Sequence, residues 1–329
     1  MSLFQNVLVG IDLLQAEGVG STNFSPPVEE AIKHGLWLAE KASASVTFFA
    51  AVDMPEDDLY SLHGAETQVA SQLQRAGKRA LDHLVDRAKQ RGLTADTKLV
   101  SGEGWVEITR EVLRGGHDVA IVGTRNVGAL QRFLFGSTAM KLLHNCPCPV
   151  WVVRPEPRPV PHNILVASDF SPVTEEALRF ALGIGRLSGA KVNLLHAVDY
   201  PLDRLWSTGL LDTSTQIYHD KVKADARAKL DEQLARVSVG SPGTTVELHI
   251  VEGLSIADTA ILDFIQYHRI DLLVMGTMAR SGIPGVFIGN TAERLVTHVP
   301  CSMLAVKPAD FKSPINLQGE ARPKSSPVL

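Results

Sequence analysis

The chain alternates two patterns of hydrophobic and polar positions along most of its length. Short apolar runs rich in Val, Ile and Leu are separated by longer amphipathic stretches. The short runs are typical of strands buried on both faces of a sheet, and the amphipathic stretches are typical of helices. The clearest helical stretches are Val28 to Lys41, Glu66 to Arg91 and Thr213 to Val237. This alternation predicts a parallel sheet with helices on both faces.

The whole pattern occurs twice, which indicates a duplicated domain. The run NVLVGID, ending at Asp12, returns as NILVASD, ending at Asp169. The segment that begins FSPPVEEA at Phe24 returns as FSPVTEEA at Phe170, and the first copy alone carries an insertion, Leu13 to Asn23. Two further blocks repeat in the same order, and they begin at Asp118 and Asp271 and at Cys148 and Cys301.

Each copy reads as five strands separated by four helices, which predicts a doubly wound α/β domain. We place the first domain at residues 1–154 and the second at residues 162–308. The segment between them, residues 155–161, has alternate prolines and is expected to form a short, stiff linker. Residues 309–329 are rich in Lys, Ser, Pro and Gly, and this tail is not expected to pack.

Composition narrows the class of protein. Hydrophobic residues make up 45% of the chain and charged residues 21%, which are values for a globular protein. The net charge of −4 and the pI of about 6.3 give no support for binding to nucleic acid. Three cysteines are too few for a disulfide framework and fit a reducing compartment. No apolar stretch is long enough to span a membrane. We therefore expect a cytoplasmic location.

Candidate binding residues follow the first and the fourth strand of each copy. Ligands of doubly wound folds bind where the strand order reverses, at the carboxyl ends of the strands. Asp12 and Asp169 follow the first strands, and the turns after the fourth strands begin at Gly123 and Gly276. Each turn brings a second glycine and then small polar residues that we expect to cap the next helix; these are Gly136, Ser137 and Thr138, and Gly289, Asn290 and Thr291.

The turn after the fourth strand has the chemistry of an anion site. Helix amino ends present N–H groups and a positive dipole, and glycine lets the backbone approach phosphate oxygens closely. A long loop with ordinary helix caps is the alternative reading of the same residues. No phosphate-loop lysine motif is present, so fast nucleotide hydrolysis is not expected.

No residue is assigned a catalytic or metal-binding role. Cys146, Cys148 and Cys301 lack a second pair with zinc spacing, and Cys148 and Cys301 precede the last strands, where we expect small buried side chains. His196 ends the second strand of the second copy, but Ala50 stands at its place in the first.

These motifs make the chain resemble a tandem universal stress protein. That family carries an aspartate after the first strand and a G-x2-G-x9-G-[ST] signature after the fourth. The resemblance covers nearly all of residues 5–155 and 161–308. It implies two flavodoxin-like, adenine-nucleotide-hydrolase-like domains, usually forming dimers, with ATP bound in one subgroup of the family and not in another.

The resemblance also implies roles for single residues, with ATP, accompanied by Mg²⁺, as the ligand. In the first copy, Asp12 would lie near the adenine or ribose, and the Ala51 backbone would meet the adenine edge. Gly123 would face the ribose and phosphates, and Gly136 and Ser137 would hold the phosphates. The corresponding residues of the second copy are Asp169, Ala197, Gly276, Gly289 and Asn290.

Both copies depart from the family signature. Its middle glycine is Asn126 in the first copy and Ala279 in the second. Asn adopts positive φ more readily than Ala, so Asn126 is expected to keep the loop shape. The second copy also has Asn290 where the family prefers Ser or Thr, although Thr291 follows. The first copy is therefore the better nucleotide candidate, with an insertion that would either close over its site or fill it.

The functional hypothesis is a stress-response module or sensor that binds an adenine nucleotide and hydrolyses it slowly or not at all. The alternative is an interaction protein with two degenerate sites. In this family the last strands pair across a dimer, so Val150–Val153 and Met303–Val306 are predicted to pair internally as a pseudo-dimer. That pairing would bury Trp151 and leaves dimerisation of whole chains open.

Overall fold

The computed structural model describes residues 3–13, 22–52, 65–127, 132–155, 160–203, 215–238, 243–252, 257–277 and 290–317. The chain divides into two compact units. Unit 1 comprises Met1–Pro159 together with Asp310–Leu329, and unit 2 comprises Val160–Ala309. The division between the two units falls inside the segment that we interpreted as a linker.

Unit 1 alternates strands and helices as the hydrophobic pattern predicts, with one addition. Between the fourth long strand and the last helix, a short antiparallel hairpin replaces the expected loop. In chain order the elements are β1 (Asn6–Gly10), α1 (Pro26–Ala42), β2 (Ser45–Val52), α2 (Ala65–Lys89), β3 (Ala95–Ser101), α3 (Gly104–Gly115), β4 (Val119–Gly123), β5 (Arg125–Val127), β6 (Arg132–Leu134), α4 (Ser137–Asn145) and β7 (Val150–Val153).

Unit 2 repeats the five long strands and four helices. They are β8 (Asn163–Ala167), α5 (Pro172–Ser188), β9 (Lys191–Val198), α6 (Thr215–Ser238), β10 (Val246–Glu252), α7 (Ala257–Tyr267), β11 (Leu272–Gly276), α8 (Asn290–His298) and β12 (Ser302–Val306). Among the described helices of both units, none is long and apolar enough to cross a bilayer.

Each unit contains one five-stranded parallel sheet, which confirms the predicted fold class. The strand order is β7-β4-β1-β2-β3 in unit 1 and β10-β9-β8-β11-β12 in unit 2. The order reverses between β1 and β4 and between β8 and β11. Ligands of this fold bind at such a reversal, at the carboxyl ends of the strands.

The apolar runs form the cores of the sheets because both of their faces are covered. All four residues of β7 and the first four of β4 are buried. The largest of these side chains is Trp151, which is 0% exposed. Its ring makes edge contacts with the rings of His34 and Trp37 from α1, at centroid distances of 5.3 and 6.5 Å. Packing within unit 1 therefore already covers a face of Trp151.

The beginning of the tail packs, contrary to our expectation for residues 309–329. Ile315 is only 7% exposed, and the hydroxyl of Ser313 donates a hydrogen bond to the Asn145 carbonyl at 2.8 Å. The Ile315 amide in turn donates to the Ser313 hydroxyl. The composition of the tail, rich in Lys, Ser and Pro, does not reveal these contacts.

A buried histidine lies on the face of α1 that meets β7. The Nδ1–H group of His34 donates to the Glu30 carbonyl at 3.0 Å, and the residue is 4% exposed. Burial lowers the pKa of His34 from 6.5 to about 4. Burial also raises the pKa of the neighbouring Glu30 carboxyl, an effect that Lys33 partly offsets. Phe180 occupies the place of His34 in unit 2.

We predict that His34 makes unit 1 less stable in mild acid. The unfolded chain takes up a proton near pH 6.5 whereas folded His34 does so only near pH 4, so stability is lost as pH falls between these values. The loss approaches about 3 kcal/mol at roughly 1.4 kcal/mol per pH unit. His34→Phe, which copies unit 2, should remove this loss. Urea unfolding followed by tryptophan fluorescence from about pH 7 to pH 4 measures it. An unchanged pH slope in the variant would refute the assignment.

Candidate functional site

The predicted ligand residues of unit 1 meet at one edge of its sheet. Asp12 lies two residues beyond β1 and is exposed, Ala51 is the second-last residue of β2, and Gly123 ends β4. Because β1 lies between β2 and β4, the carboxyl ends of these three strands are adjacent. The amide of Ile11 donates to the Phe49 carbonyl at 2.7 Å, which continues the pairing of β1 with β2 up to Asp12.

The start of the insertion packs against α2. Leu13 is partly buried, and a Cβ atom placed on Gly77 of α2 would lie 2.9 Å from the Cδ1 atom of Leu13. The same added atom would lie 3.2 Å from Leu99 of β3. The first residue of the insertion thus lies between the end of β1 and α2. Residues 14–21 are outside the described part of the chain.

Gly123 is glycine for a reason that the sequence does not reveal. A Cβ atom here would overlap the carbonyl oxygen of Pro27 and lie 2.7 Å from the carbonyl carbon. The first turn of α1 therefore lies against the end of β4 at a distance that only glycine allows. At Gly276 in unit 2, an added Cβ would instead lie 2.7 Å from a methyl group of Val173. The close approach of a helix explains both residues, whether or not they face a ligand.

The loop after Gly123 does not have the conformation that we predicted for Asn126. Arg125 pairs with Leu134, Asn126 with Phe133 and Val127 with Arg132, so the segment is an antiparallel hairpin. The described non-glycine residues with positive φ are Ser43, Phe170 and Arg269. Asn126 is therefore extended, and the expectation that it keeps the loop shape through positive φ was wrong. Strand pairing determines the shape of this segment.

The amino end of α4 is open to solvent. Gly136 is its N-cap, with φ of −67° and no side chain to cap the helix, and Ser137 and Thr138 are exposed in its first turn. We had expected Ser137 and Thr138 to cap the helix, but they are its first two residues. The first amides of a helix have no partner within it, so this end carries a positive dipole and N–H groups that the helix itself does not pair.

Arg125 adds a basic side chain to this end, and the sequence analysis overlooked it. A Cβ atom on Gly136 would lie 3.3 Å from the Cβ and 3.8 Å from the Cδ atom of Arg125, so the arginine stem lies alongside the N-cap. Arg125 is exposed. Its place in unit 2 is taken by Met278. The signal that could have revealed it is the basic residue directly after the Gly-Thr pair in the first copy, where the second copy has Met278.

A cavity of about 470 Å³ lies on the other side of the candidate site in unit 1. Its lining begins at Val52, next to Ala51, and includes apolar side chains and the polar residues Gln74, Lys78 and Ser101. The cavity lies between α2 and the strands β2 and β3. Asp12, Gly123 and the start of α4 are not among its described lining residues, so the cavity and the anion site are separate parts of the same sheet edge.

In unit 2 the aspartate after the first strand stabilises local structure. The Oδ1 atom of Asp169 accepts hydrogen bonds from the Ser171 amide at 2.9 Å and from the Thr174 hydroxyl at 2.8 Å. The Ser171 side chain in turn caps α5 by accepting from the Thr174 amide. One carboxylate oxygen of Asp169 is thus already used to hold the entry to α5.

Aromatic rings occupy the sheet edge beside Asp169. Phe170 has a φ of 64°, and its ring packs on that of His196 at 4.0 Å. The Nδ1–H of His196 donates to the Ser168 carbonyl at 2.7 Å. Phe170 also contacts a cluster of side chains that includes the buried Tyr200. A positive φ is costly for a residue of this size, and surrounding packing must hold it there.

The structure describes only some of the remaining predicted site residues of unit 2. Ala197 lies next to His196 in β9 and is partly buried, and Gly276 ends β11. Ala279 and Gly289 are outside the described residues. We had expected Asn290 and Thr291 to cap the last helix, but they are the first two residues of α8, as Ser137 and Thr138 are of α4.

A glutamate in the first turn of the first helix of each unit makes an ion pair with the second helix. The Arg87 guanidinium binds both carboxylate oxygens of Glu29, at 2.7 and 3.0 Å, and Arg236 binds Glu175 at 2.8 Å. Each pair links the first helix of its unit to the second. Within the described residues no group of three or more His, Cys, Asp or Glu side chains could hold a metal ion.

Both units are doubly wound α/β domains with the same strand order, and this duplicated fold defines the class of protein. The family model of the Universal stress protein family matches residues 3–154 and 161–307. The chain therefore belongs to the universal stress protein family, with two such domains in tandem.

Known relatives share this tandem arrangement over nearly the whole chain. Universal stress protein E of Escherichia coli strain K12 is 24% identical over 97% of this chain and 99% of that protein. Among solved structures, a universal stress protein from Archaeoglobus fulgidus DSM 4304 has a TM-score of 0.65 and 18% identity, covering 93% of this chain and 99% of that one. A putative universal stress protein from Pseudomonas aeruginosa UCBPP-PA14 has the same TM-score and 22% identity, covering 93% and 94%. The structural likeness shows the flavodoxin-like fold.

We predict that a methyl group at Gly123 is more damaging than one at Gly276. Gly123→Ala forces the new Cβ against the Pro27 backbone, which cannot move without α1, and should cost about 1–3 kcal/mol of stability. Gly276→Ala meets a Val173 side chain that can rotate, so its cost should be smaller. Urea unfolding of the two single variants measures the difference. Equal losses of stability in the two variants would contradict the difference between the α1 and α5 contacts.

Proposed function

We propose that unit 1 binds an adenine nucleotide, most simply ATP, and that the protein acts as a stress-response nucleotide-binding module or sensor. The observation that carries the proposal is the open amino end of α4 with Arg125 beside its glycine N-cap. An anion there meets helix amides, the helix dipole and a guanidinium together. The phosphates would lie at Gly136, Ser137 and Thr138.

The arrangement of the rest of the edge supports the same ligand. Asp12 is an exposed carboxylate just beyond β1, and β1 pairs with β4, the strand that precedes the anion site. The cavity beside Ala51 and Val52 offers apolar walls on which a planar base could pack. A nucleotide lying across this edge would meet β2 with its base and α4 with its phosphates, which is the order of residues implied by the family resemblance.

Magnesium would accompany the phosphates of the ligand. Mg²⁺ keeps several waters and binds chiefly through substrate phosphates and one or two carboxylates. Asp12 is the exposed carboxylate of the site in unit 1 that could contribute. The predicted site contains neither a phosphate-loop lysine nor a partnered base, and we therefore propose slow turnover or none.

Unit 2 is proposed to bind nucleotide more weakly than unit 1. Asp169 already holds the entry to α5, the rings of Phe170 and His196 lie at the sheet edge, and Met278 replaces the arginine. Each difference removes a group that a nucleotide would use or takes space that it would occupy.

Equilibrium binding of labelled ATP with Mg²⁺ to the full chain tests the proposal. We expect one equivalent of high-affinity sites, with weaker or no binding at a second. No binding at millimolar ATP refutes the nucleotide function. Two equal sites per chain refute the difference between the units.

We predict that Arg125→Met weakens ATP binding by about 10- to 100-fold, because a charge-assisted hydrogen bond contributes about 1.5–3 kcal/mol. The substitution copies Met278 of unit 2. Arg114→Met is the control, since it removes the same charge from an exposed position at the end of α3 in the same unit. Titration calorimetry of both variants measures the affinities. If the Arg125 variant and the control bind ATP with equal affinity, the proposed position of the phosphates at the amino end of α4 is wrong.

The alternative function, an interaction protein with degenerate sites, is favoured by one observation, the aromatic packing at the edge of unit 2. Restoring the signature glycine at Asn126 and at Ala279 separates the two proposals. ATP binding that appears only after these substitutions supports the degenerate reading. Internal pairing of the domains through their last strands stays a prediction, and so does dimerisation of whole chains, which the molecular mass in solution would test.

A further inference from the structure

Two thiols lie side by side at the carboxyl end of α4. The Sγ atoms of Cys146 and Cys148 are 3.6 Å apart, and both residues are buried, at 0% and 8% exposure. Only Pro147 separates them in the chain. We call these two residues the thiol pair. Cys148 donates a weak hydrogen bond to the Pro149 carbonyl, and the Cys146 amide closes α4 by donating to the Leu142 carbonyl.

The second copy retains only one of the two thiols. The segment Cys146-Pro147-Cys148 corresponds to Val299-Pro300-Cys301 in unit 2. Val299 and Cys301 are both buried, at 2% exposure each. A valine therefore fills the place of Cys146 in a homologous core, and packing alone does not require a sulfur there. The thiol pair is a feature added to, or kept by, unit 1.

The distance between the sulfurs is short enough for a bond after a small movement. A disulfide has a sulfur–sulfur distance near 2.05 Å, so the two atoms must approach by about 1.5 Å. Cys148 lies two residues before β7, whose residues are all buried and which pairs with β4. The movement must therefore fall mainly on the Cys146 side, at the end of α4.

The surroundings of the thiol pair make oxidation of its sulfurs slow at neutral pH. Burial raises the pKa of the Cys148 thiol, Cys146 and Asp118 raise it further, and the Ala120 amide lowers it. Because the thiolate is the reactive form, the thiol pair is expected to react slowly with weak oxidants and to require a strong oxidant or prolonged exposure.

We propose that the thiol pair is a reversible redox site, which a hydroperoxide converts to an intramolecular Cys146–Cys148 disulfide and a dithiol reductant restores. One sulfur attacks a peroxide oxygen, the O–O bond breaks, and a sulfenic acid and water form when the peroxide is hydrogen peroxide. The second sulfur attacks the sulfenic sulfur, the S–O bond breaks, and a second water leaves. Two thiols thus lose two protons and two electrons to one peroxide.

The site is coupled to the tail by its neighbour in the chain. The Asn145 carbonyl accepts the hydrogen bond of Ser313, and Ile315 is buried nearby in the chain. Movement of Cys146 toward Cys148 displaces Asn145, the last residue of α4. The bond to Ser313 is then lengthened or lost, and oxidation should loosen residues 313–315 from unit 1.

The test uses the reduced full chain, treated with hydrogen peroxide and then with a dithiol. Peptide mass spectrometry should find the peptide that contains Cys146 and Cys148 lighter by about 2 Da, and the dithiol should reverse the change. Cys301 is the internal control and should keep its free thiol. A sulfinic acid on either residue, a disulfide between chains, or equal oxidation of Cys301 would overturn the proposal. The wild-type measurement needs no variant to fold.

The variant Cys146→Val copies unit 2 and supplies the matched control for the tail. In the wild type, tryptic cleavage after the exposed Lys312 should become at least about threefold faster on oxidation, because local opening exposes the bond. In the variant, peroxide should leave the cleavage rate unchanged. Equal cleavage of oxidised and reduced wild type would refute the coupling to the tail.

Discussion

The contact between the first turn of α1 and the end of β4 is the constraint on which the site in unit 1 depends. It requires Gly123, because any side chain would meet the Pro27 backbone. The carboxyl ends of β1 and β4 are adjacent because the two strands pair, and the chain leaves β4 beside the first turn of α1. It continues as the hairpin β5–β6, which delivers Arg125 to the amino end of α4. A packing requirement thus explains the glycine from which the chain continues to the candidate anion site.

The two units show how a duplicated scaffold can diverge at its edges while its centre stays the same. Their sheets have the same order and register, and each joins its first two helices by a Glu–Arg pair. The differences lie at the strand ends. Unit 1 has the exposed Asp12 and Arg125, whereas unit 2 uses Asp169 to hold the entry to α5 and packs rings beside it. Because the edge contributes little to the core, it can change without loss of the fold.

Sequence reasoning predicted the elements that depend on local pattern and missed those that depend on distant contacts. The strand β7 was predicted with its observed bounds, and the helices α1, α2 and α6 within a few residues, because buried apolar runs and amphipathic periods are local signals. The hairpin was missed because its strands are three residues each and pair only with each other. Arg125 was overlooked because its contact with Gly136 depends on how the intervening residues fold, and the spacing of residues in the sequence does not predict that contact. The role of Asp169 depends on two donors in the next turn, and the same aspartate in the first copy is followed by an insertion.

The packed start of the tail makes unit 1 discontinuous in the chain. Residues up to Pro159 form most of it, the whole of unit 2 follows, and Ser313 and Ile315 then return to the end of α4. During synthesis on the ribosome, the segment that contains Ser313 and Ile315 can therefore pack on unit 1 only after unit 2 has been made. A protein cut short just after β12 would keep every strand of unit 2 but lack the Ser313 and Ile315 contacts of unit 1.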